Sequence, residues 1–192
     1  MTVLDGSRAA LLVMDVQQGI VERFGDGSDA LLERLSALIA GAREAGIAVI
    51  YVRVAFRAGT PEVSARNRSF AALSQGGAFG EADVATRIHP AVAPRDGEPV
   101  VVKKRVSAFA GSDLEVLLRS LGIETLVLTG IATSGVVLST LREAADRDYR
   151  LVVVSDCCLD RDPEVHRVLT EKVFPRQAEV VAADELLGRL GG

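Results

Sequence analysis

Short apolar runs alternate with helix-period segments along the chain, and this alternation constrains the fold more than any other feature. Ala9–Met14 is a continuous apolar run, as expected of a strand that is buried on both faces. Ser28 and Asp29 can cap a following helix, whose leucines recur at helical spacing until the chain reaches Gly46. Strands that alternate with such helices form βαβ units and a parallel sheet covered on both faces. The predicted fold class is therefore α/β.

The same patterns predict six strands, at 9–14, 47–54, 98–102, 125–128, 151–154 and 178–181. Helices are expected at 28–46, 114–121, 134–146 and 162–174 and after the last strand. The chain has no internal repeat or low-complexity linker, so residues 1–192 are predicted to form a single domain. The long irregular stretch 55–97 fits a binding loop, a lid or an oligomer contact, and equally a plain surface excursion.

Composition removes several classes of function. The formal net charge is −4 and no basic cluster is present, so a nucleic-acid partner is not expected. No apolar run approaches the roughly 20 residues of a membrane span, and the N-terminus lacks the pattern of a signal peptide. We therefore expect a cytoplasmic protein without a membrane partner.

Cysteine and histidine are too few for the common metal and disulfide frameworks. The two cysteines, Cys157 and Cys158, are adjacent, which excludes a disulfide framework. The chain has only two histidines, His89 and His166, so a zinc site of the usual kind is not expected. We predict no metal and no cofactor.

Several polar residues follow the predicted strands, where ligands bind in open parallel sheets. Asp15 follows the first strand, Lys103 and Lys104 the third, and Asp156 the fifth. A carboxylate placed after an apolar run must be paired or have a raised pKa. Asp15 and Lys103 could form an ion pair in a cleft, either to hold a carboxyl group that moves a proton or as a structural salt bridge.

The segment 130–136 links the fourth strand to a helix and consists of glycine, small polar and apolar residues. Such a turn can direct backbone N–H groups toward an anion or an oxyanion. An ordinary turn capped by Thr133 or Ser134 is the alternative.

Three segments together resemble the isochorismatase-like hydrolases, also called the cysteine hydrolase superfamily. They are Leu-Val-Met-Asp-Val-Gln at 12–17, Val-Val-Lys-Lys-Arg-Val-Ser-Ala-Phe at 101–109 and Gly-Ile-Ala-Thr-Ser-Gly-Val-Val-Leu-Ser-Thr at 130–140. Their order and separation agree with the family. The resemblance implies a Rossmann-like three-layer α/β/α sandwich with a six-stranded parallel sheet. It also implies a homodimer or homotetramer and a cis peptide between Ile131 and Ala132.

The resemblance further implies an Asp–Lys–Cys triad. Asp15 matches the acid/base and Lys103, rather than Lys104, matches the lysine, but the cysteine position holds Val136. The backbone of Ala132 and Val136 matches the oxyanion site. Valine cannot form a thioester, so the amidase chemistry typical of the family is not expected. The Asp-x-His metal motif of nicotinamidases is also missing, since residues 51–56 read Tyr-Val-Arg-Val-Ala-Phe.

Isochorismatases in the strict sense also lack the cysteine, although they carry glycine at its position. They cleave a vinyl ether after an aspartate donates a proton. We therefore predict a hydrolase of a small-molecule substrate in which Asp15 is the general acid, with vinyl-ether hydrolysis favoured. Gln17 and Phe109 of the matching segments and Arg53 at the end of the second strand are predicted substrate contacts. Arg57, Arg66 and Arg68 are further candidates for binding a carboxylate.

Three alternatives remain. The chain could be a non-catalytic family member that binds a small molecule or a protein partner. It could use Cys157 or Cys158 as a nucleophile, although buried cysteines are common as small core residues. Dinucleotide binding through the glycines of 25–30 is disfavoured, because that segment begins about ten residues after the first strand rather than directly after it.

Overall fold

A computed structural model of the chain describes residues 5–75 and 79–190. Residues 76–78 of the 55–97 segment therefore lie outside the described residues. Six parallel strands form one sheet in the order β3-β2-β1-β4-β5-β6. The strands are β1 Ala9–Met14, β2 Ala48–Val54, β3 Val100–Lys103, β4 Thr125–Ile131, β5 Arg150–Leu159 and β6 Glu179–Val181. The predicted α/β fold with a six-stranded parallel sheet is confirmed.

Helices flank the sheet. They are α1 Gln18–Val21, α2 Asp29–Glu44, α3 Arg68–Gln75, α4 Leu114–Ser120, α5 Leu138–Ala145, α6 Pro163–Val168 and α7 Ala183–Leu190. A π-helical turn, Thr133–Val137, precedes α5, and another, Leu169–Val173, follows α6. No helix in the described ranges is both long and apolar enough to cross a membrane.

The position of β1 inside the sheet, covered on both faces, explains why its sequence is apolar throughout. Leu11 and Val13 pack into a core layer with α2 and α7, whereas Leu12 and Met14 pack into a second layer with α4 and α5. Side chains on a strand alternate between the two faces, so a strand covered on both faces contains no exposed position. All six residues of β1 are buried.

The strand order reverses at β1, which pairs with β2 on one side and β4 on the other. Ligand sites in open α/β sheets lie at the carboxyl ends of strands at such a reversal. Asp15 follows β1 at this point, and the 130–136 turn leaves β4 beside it. Gly130 pairs with Met14 there, with a φ of +136°. A Cβ atom at position 130 would lie 2.1 Å from the Met14 carbonyl oxygen, so the two strand ends approach more closely than a side chain allows.

The strand β5 is longer than the sequence predicted. It continues to Leu159, and its register against β4 shifts between the Leu128–Val153 and Gly130–Cys158 pairs. Asp156 therefore lies within β5 rather than after it, and its Oδ1 accepts a hydrogen bond from the Ala183 N–H. The Asp156 carboxylate can lie inside a strand because a backbone N–H at the start of α7 donates a hydrogen bond to it. The presence of an aspartate in the sequence did not indicate this partner.

The 55–97 segment is partly regular. It contains α3 and two 3₁₀ turns, Val84–Thr86 and Pro90–Val92. Its aromatic residues Phe56, Phe70 and Phe79 form a small separate core against Val54. This cluster attaches the segment to the end of β2, above the strand ends where ligands are expected.

The close approach at Gly130 gives a direct stability test. We expect Gly130→Ala to lower the free energy of unfolding by at least about 2 kcal/mol, because the new Cβ meets a backbone oxygen and the φ suits only glycine. Chemical denaturation measures the change. Gly188→Ala is the control, because no atom lies within 4 Å of its new Cβ, and it should stabilise α7 by about 0.5–1 kcal/mol. Equal effects of the two substitutions would contradict this account.

Candidate active site

Asp15 is the central acidic residue of the candidate site. It lies directly after β1 with a φ of +56°, and its N–H donates to the Val52 carbonyl at 2.8 Å. The side chain is 8% exposed and its Oδ2 lies 2.9 Å from Lys103 Nζ. Its Oδ1 is buried and has no hydrogen-bond partner among the described residues. Buried polar atoms are rarely left unsatisfied, so this oxygen is a candidate contact for a ligand.

Lys103 is buried at the end of β3 and is fully engaged. Besides Asp15, its ammonium donates to the carbonyl of Arg105 at 2.9 Å and to that of Val106 at 3.0 Å. An ammonium has three protons, so all of them have acceptors. Lys104 faces elsewhere and donates to Ala55 O and Glu81 Oε1, each at 2.7 Å. The predicted contact between Asp15 and Lys103 is present.

Burial raises the pKa of Asp15 and outweighs the opposing effect of the Lys103 charge. In the neutral form, one oxygen of a carboxyl group carries the proton. Lys103 donates to Oδ2, so the proton of a neutral Asp15 belongs on Oδ1. The unpartnered oxygen then becomes a hydroxyl donor.

The turn after β4 is held by several hydrogen bonds, and its Ile131–Ala132 peptide is cis, as predicted. The Ala132 carbonyl accepts from the N–H groups of Gly135 and Val137 at 3.1 and 3.3 Å. Ala132 occupies the N-cap position and no side chain caps the turn, so the alternative of a Thr133 or Ser134 cap is wrong.

Thr133 and Ser134 instead connect the turn to the segment after β5. Thr133 Oγ1 lies 2.8 Å from His166 Nδ1, and the Ser134 N–H donates to Asp160 Oδ2 at 2.7 Å. Burial lowers the pKa of His166 despite the nearby Asp160 charge, so a neutral ring is favoured at this contact.

A cavity of about 600 Å³ opens at these strand ends. Asp15, Lys103, Ala132 and Val136 all line it. Its remaining apolar lining comprises Ile20, Phe24, Val54, Phe70, Leu73, Phe79, Val106 and Ile131. The predicted catalytic and oxyanion positions therefore share one largely apolar cavity, and Val136 adds an aliphatic side chain to its wall.

None of the three predicted substrate contacts lines this cavity. The Gln17 side chain is fully buried and bonds the backbone of Val54 and Thr86. Arg53 donates to Thr86 and to the Glu81 carbonyl. Phe109 stacks on Tyr149, with ring centroids 6.1 Å apart. Each of these side chains forms hydrogen bonds or packing contacts within the fold.

The two cysteines also lie outside the cavity lining. Burial raises the pKa of Cys157 to about 12 and raises that of Cys158 as well. The thiolate is the reactive form of cysteine, so neither thiol is set up as a nucleophile. The described residues also contain no group of three or more His, Cys, Asp or Glu side chains that could hold a metal ion.

Sequence reasoning missed the residues at the cavity mouth. Arg23 and Phe24 follow the short helix α1, and Asp160 and Arg161 follow the extended end of β5. Neither pair directly follows a predicted strand end, because Arg23 and Phe24 follow a helix and β5 ends later than predicted. The aromatic residues Phe70 and Phe79 support the binding-loop hypothesis for 55–97 by lining the cavity.

The parallel sheet, the Asp–Lys pair at its strand ends and the cis peptide in the turn after β4 are the features that the resemblance to the isochorismatase-like hydrolases implies. The isochorismatase domain model matches residues 9–185, and the chain belongs to the isochorismatase family. It is 34% identical to the isochorismatase family protein YecD of Escherichia coli O157:H7, over 99% of this chain and 100% of that protein.

The chain is also similar to a second relative in sequence and to a solved structure in fold. The chain is 27% identical to a maleamate amidohydrolase of Pseudomonas putida, over 96% of this chain and 88% of the relative. A cysteine hydrolase from Pseudomonas syringae pv. phaseolicola has the same fold, with a TM-score of 0.89 at 22% identity. That structural match covers 100% of this chain and 96% of the other.

The raised pKa of Asp15 predicts a pH-dependent effect of Asp15→Asn on stability. Above its ordinary pKa of 3.8, Asp15 ionises in the unfolded chain while the folded state resists ionisation. The wild type therefore loses stability as pH rises from that value toward the folded pKa, whereas asparagine carries no such cost. We expect urea denaturation to show the variant gaining stability relative to the wild type between pH 4 and pH 8. A difference that does not vary with pH, or that falls, would contradict the raised pKa.

Proposed function

We propose that the protein hydrolyses a small metabolite with Asp15 as general acid and without a cysteine nucleophile. One observation carries the proposal: Asp15 is a buried carboxyl group with one oxygen on Lys103 and the other unpartnered in the described structure, at an apolar cavity. A general acid must hold its proton near the working pH, and burial raises the pKa of Asp15 in that direction.

Vinyl-ether hydrolysis is the reaction that these groups support best. Asp15 donates its proton to the terminal carbon of the C=C bond, which leaves an oxocarbenium ion at the ether carbon. Water adds to that carbon and returns a proton to Asp15, and the resulting hemiketal breaks down to a carbonyl compound and an alcohol. The sequence consumes one water, and no side chain forms a covalent bond.

Lys103 has a supporting role in this mechanism. Once Asp15 has given up its proton, the ammonium at 2.9 Å stabilises the carboxylate in a site that otherwise disfavours charge. Its two carbonyl acceptors hold it in place throughout. Lys103 thus lowers the cost of proton transfer without contacting the substrate.

Amide hydrolysis, the activity in the name of the maleamate amidohydrolase relative, is not favoured for this chain. The resemblance assigns the family's cysteine to position 136, where the chain has valine, and the nearest thiols in sequence, Cys157 and Cys158, are buried outside the cavity lining. Valine has no atom that can attack a carbonyl carbon. A reaction that needs only a proton donor and water is compatible with this site.

Turnover of isochorismate, compared with a panel of amides and esters, tests the proposal. We expect vinyl-ether cleavage in the wild type and a loss of at least about 100-fold in Asp15→Asn, because asparagine has no proton of useful acidity. Iodoacetamide should leave the activity intact, since both thiols are buried. Asp162→Asn is the matched control, because Asp162 caps α6 and asparagine caps equally well.

Full activity in Asp15→Asn would refute the general-acid role, and loss of turnover on alkylation would revive Cys157 or Cys158 as nucleophile. An absence of turnover on every substrate, together with measurable binding of a small molecule, would favour a non-catalytic binding protein.

The assignment of position 136 gives a separate test. Val136→Cys should introduce a thiol into the wall of a cavity that Lys103 also lines, and a lysine charge favours the thiolate. We expect faster reaction with iodoacetamide than in the wild type and slow hydrolysis of p-nitrophenyl acetate. Val137→Cys is the control, since Val137 is fully buried and does not line the cavity. Equal reactivity of the two variants would show that position 136 does not face the reacting groups.

A further inference from the structure

The loop that holds Lys103 is itself bonded to α5. Residues 105–110 follow β3, and the carbonyls of the first two accept protons from the Lys103 ammonium. The next residue, Ser107, is buried, and its Oγ donates to Glu143 Oε2 at 2.5 Å. The acceptors of the lysine are therefore directly followed in the chain by a side-chain contact with α5.

A second contact lies next to the first. The Ala108 N–H donates to Thr140 Oγ1 at 3.0 Å, and Thr140 is fully buried. Thr140 and Glu143 are three residues apart on α5, so their side chains lie on one face of the helix. The Ser107 Oγ also accepts from the Phe109 N–H at 3.3 Å, which connects the loop to itself. The loop is thus bonded to one helix face at two adjacent residues.

The helix α5 also begins at the cavity. The turn Thr133–Val137 leads into it, and Val136 of that turn lines the cavity together with Asp15 and Lys103. The two residues of α5 that bond the loop lie about one and two helical turns after Val136. One helix therefore connects the turn after β4 to the loop that holds the lysine.

The charged groups around this arrangement are few. Glu143 Oε1 accepts from Arg147 at 2.6 Å, and Arg147 also pairs with Glu115 of α4 at 3.4 Å. At Asp15, the charged contact is Lys103. The other charged residues that line the cavity are Arg23, Asp160 and Arg161. In the described structure the contacts between the loop and α5 involve none of these three, so they affect Asp15 through Lys103.

We propose that the contacts between the 105–110 loop and α5 position the Lys103 ammonium on Asp15. The positioning residues are Ser107, Thr140 and Glu143, and none of them lines the cavity. The inference rests on the proposed function in treating Asp15 as the acid.

The consequence for Asp15 follows from the effect of the lysine on its ionisation. The Lys103 charge and hydrogen bond oppose the rise that burial causes in the pKa of Asp15. A lysine that is no longer held in place therefore leaves Asp15 with a higher pKa and makes its carboxylate harder to form. Transfer of the proton to a substrate then becomes slower, although the positioning residues do not touch the substrate.

Infrared titration of Asp15 tests this role without a substrate. The C=O stretch of the protonated carboxyl group is identified by its loss in Asp15→Asn, and its decrease with rising pH follows the ionisation of the acid. We expect the midpoint to move to higher pH in Ser107→Ala and in Glu143→Ala, because each frees the loop that holds the lysine. Loss of the Glu143 charge alone would move the midpoint to lower pH, so a rise cannot come from that charge.

Two further variants separate the hydrogen bond from other effects. Glu143→Gln should keep the midpoint at or below that of the wild type, since its amide oxygen can still accept from Ser107 Oγ. The double variant Ser107→Ala/Glu143→Ala should match the single variants, because both substitutions remove the same hydrogen bond. Arg142→Ala is the matched control and should leave the midpoint unchanged, because Arg142 is exposed on the same helix and bonds Gln177 rather than the loop.

Kinetics with isochorismate give a second measurement. We expect kcat of Ser107→Ala and of Glu143→Ala to fall by about tenfold, because small displacements of a reacting group are costly. KM should change by less than about twofold, since neither side chain lines the cavity.

A midpoint that stays at the wild-type pH in both single variants would overturn the inference, even if both variants are less stable, because that pattern indicates a purely structural contact. An equal shift in Arg142→Ala would also overturn it, as would a larger shift in the double variant than in either single one, because the two residues would then act independently. Failure of the proposed function is distinguishable from these outcomes. A wild type that does not hydrolyse isochorismate still shows the Asp15 midpoint and its shift in the variants.

Discussion

The buried ammonium of Lys103 is the interaction on which the site depends. It connects the end of β3 to the residue after β1 and, through two carbonyls, fixes the chain that follows β3. Burying an ammonium is costly unless its protons are accepted, so the three contacts of Lys103 offset its desolvation. The same contact leaves the other oxygen of Asp15 without a partner among the described residues, so the lysine that secures the strand ends also determines which oxygen carries the proton of the acid.

The apolar wall and the acid act together. Aliphatic and aromatic side chains surround Asp15, and this desolvation rather than any neighbouring negative charge raises its pKa. A cysteine at position 136 would add an ionisable group to the wall, whereas valine adds more apolar surface. Under the proposed assignment of position 136, valine at this position favours the neutral form of the Asp15 carboxyl group. A site of this kind suits acid catalysis better than attack by a thiolate.

The sheet and its central pair could be predicted from sequence because both depend on local signals. The apolar run of β1 and the polar residues after β1 and β3 place Asp15 and Lys103 at the same edge of a parallel sheet. The mouth of the cavity could not be predicted in this way. Arg23 reaches it from a helix of four residues, and Arg161 reaches it because β5 continues five residues past its predicted end. Motif membership did not indicate the contacts that Gln17 and Phe109 make within the fold, which are hydrogen bonds for Gln17 and ring stacking for Phe109.

The segment that carries the aromatic wall is closed at a narrow neck. The Phe56 N–H donates to the Phe79 carbonyl at 2.8 Å, and the Glu81 N–H donates back to the Phe56 carbonyl at 3.0 Å. Just beyond this neck, the Gln17 amide bonds Val54 and Thr86 and secures the chain to β1. The loop between Phe56 and Phe79 can therefore change in length and in its side chains, through evolution or design, while Asp15 and Lys103 keep their positions. Changes in this loop can alter which substrate the cavity accepts and, through the apolar surroundings of Asp15, how strongly the acid holds its proton.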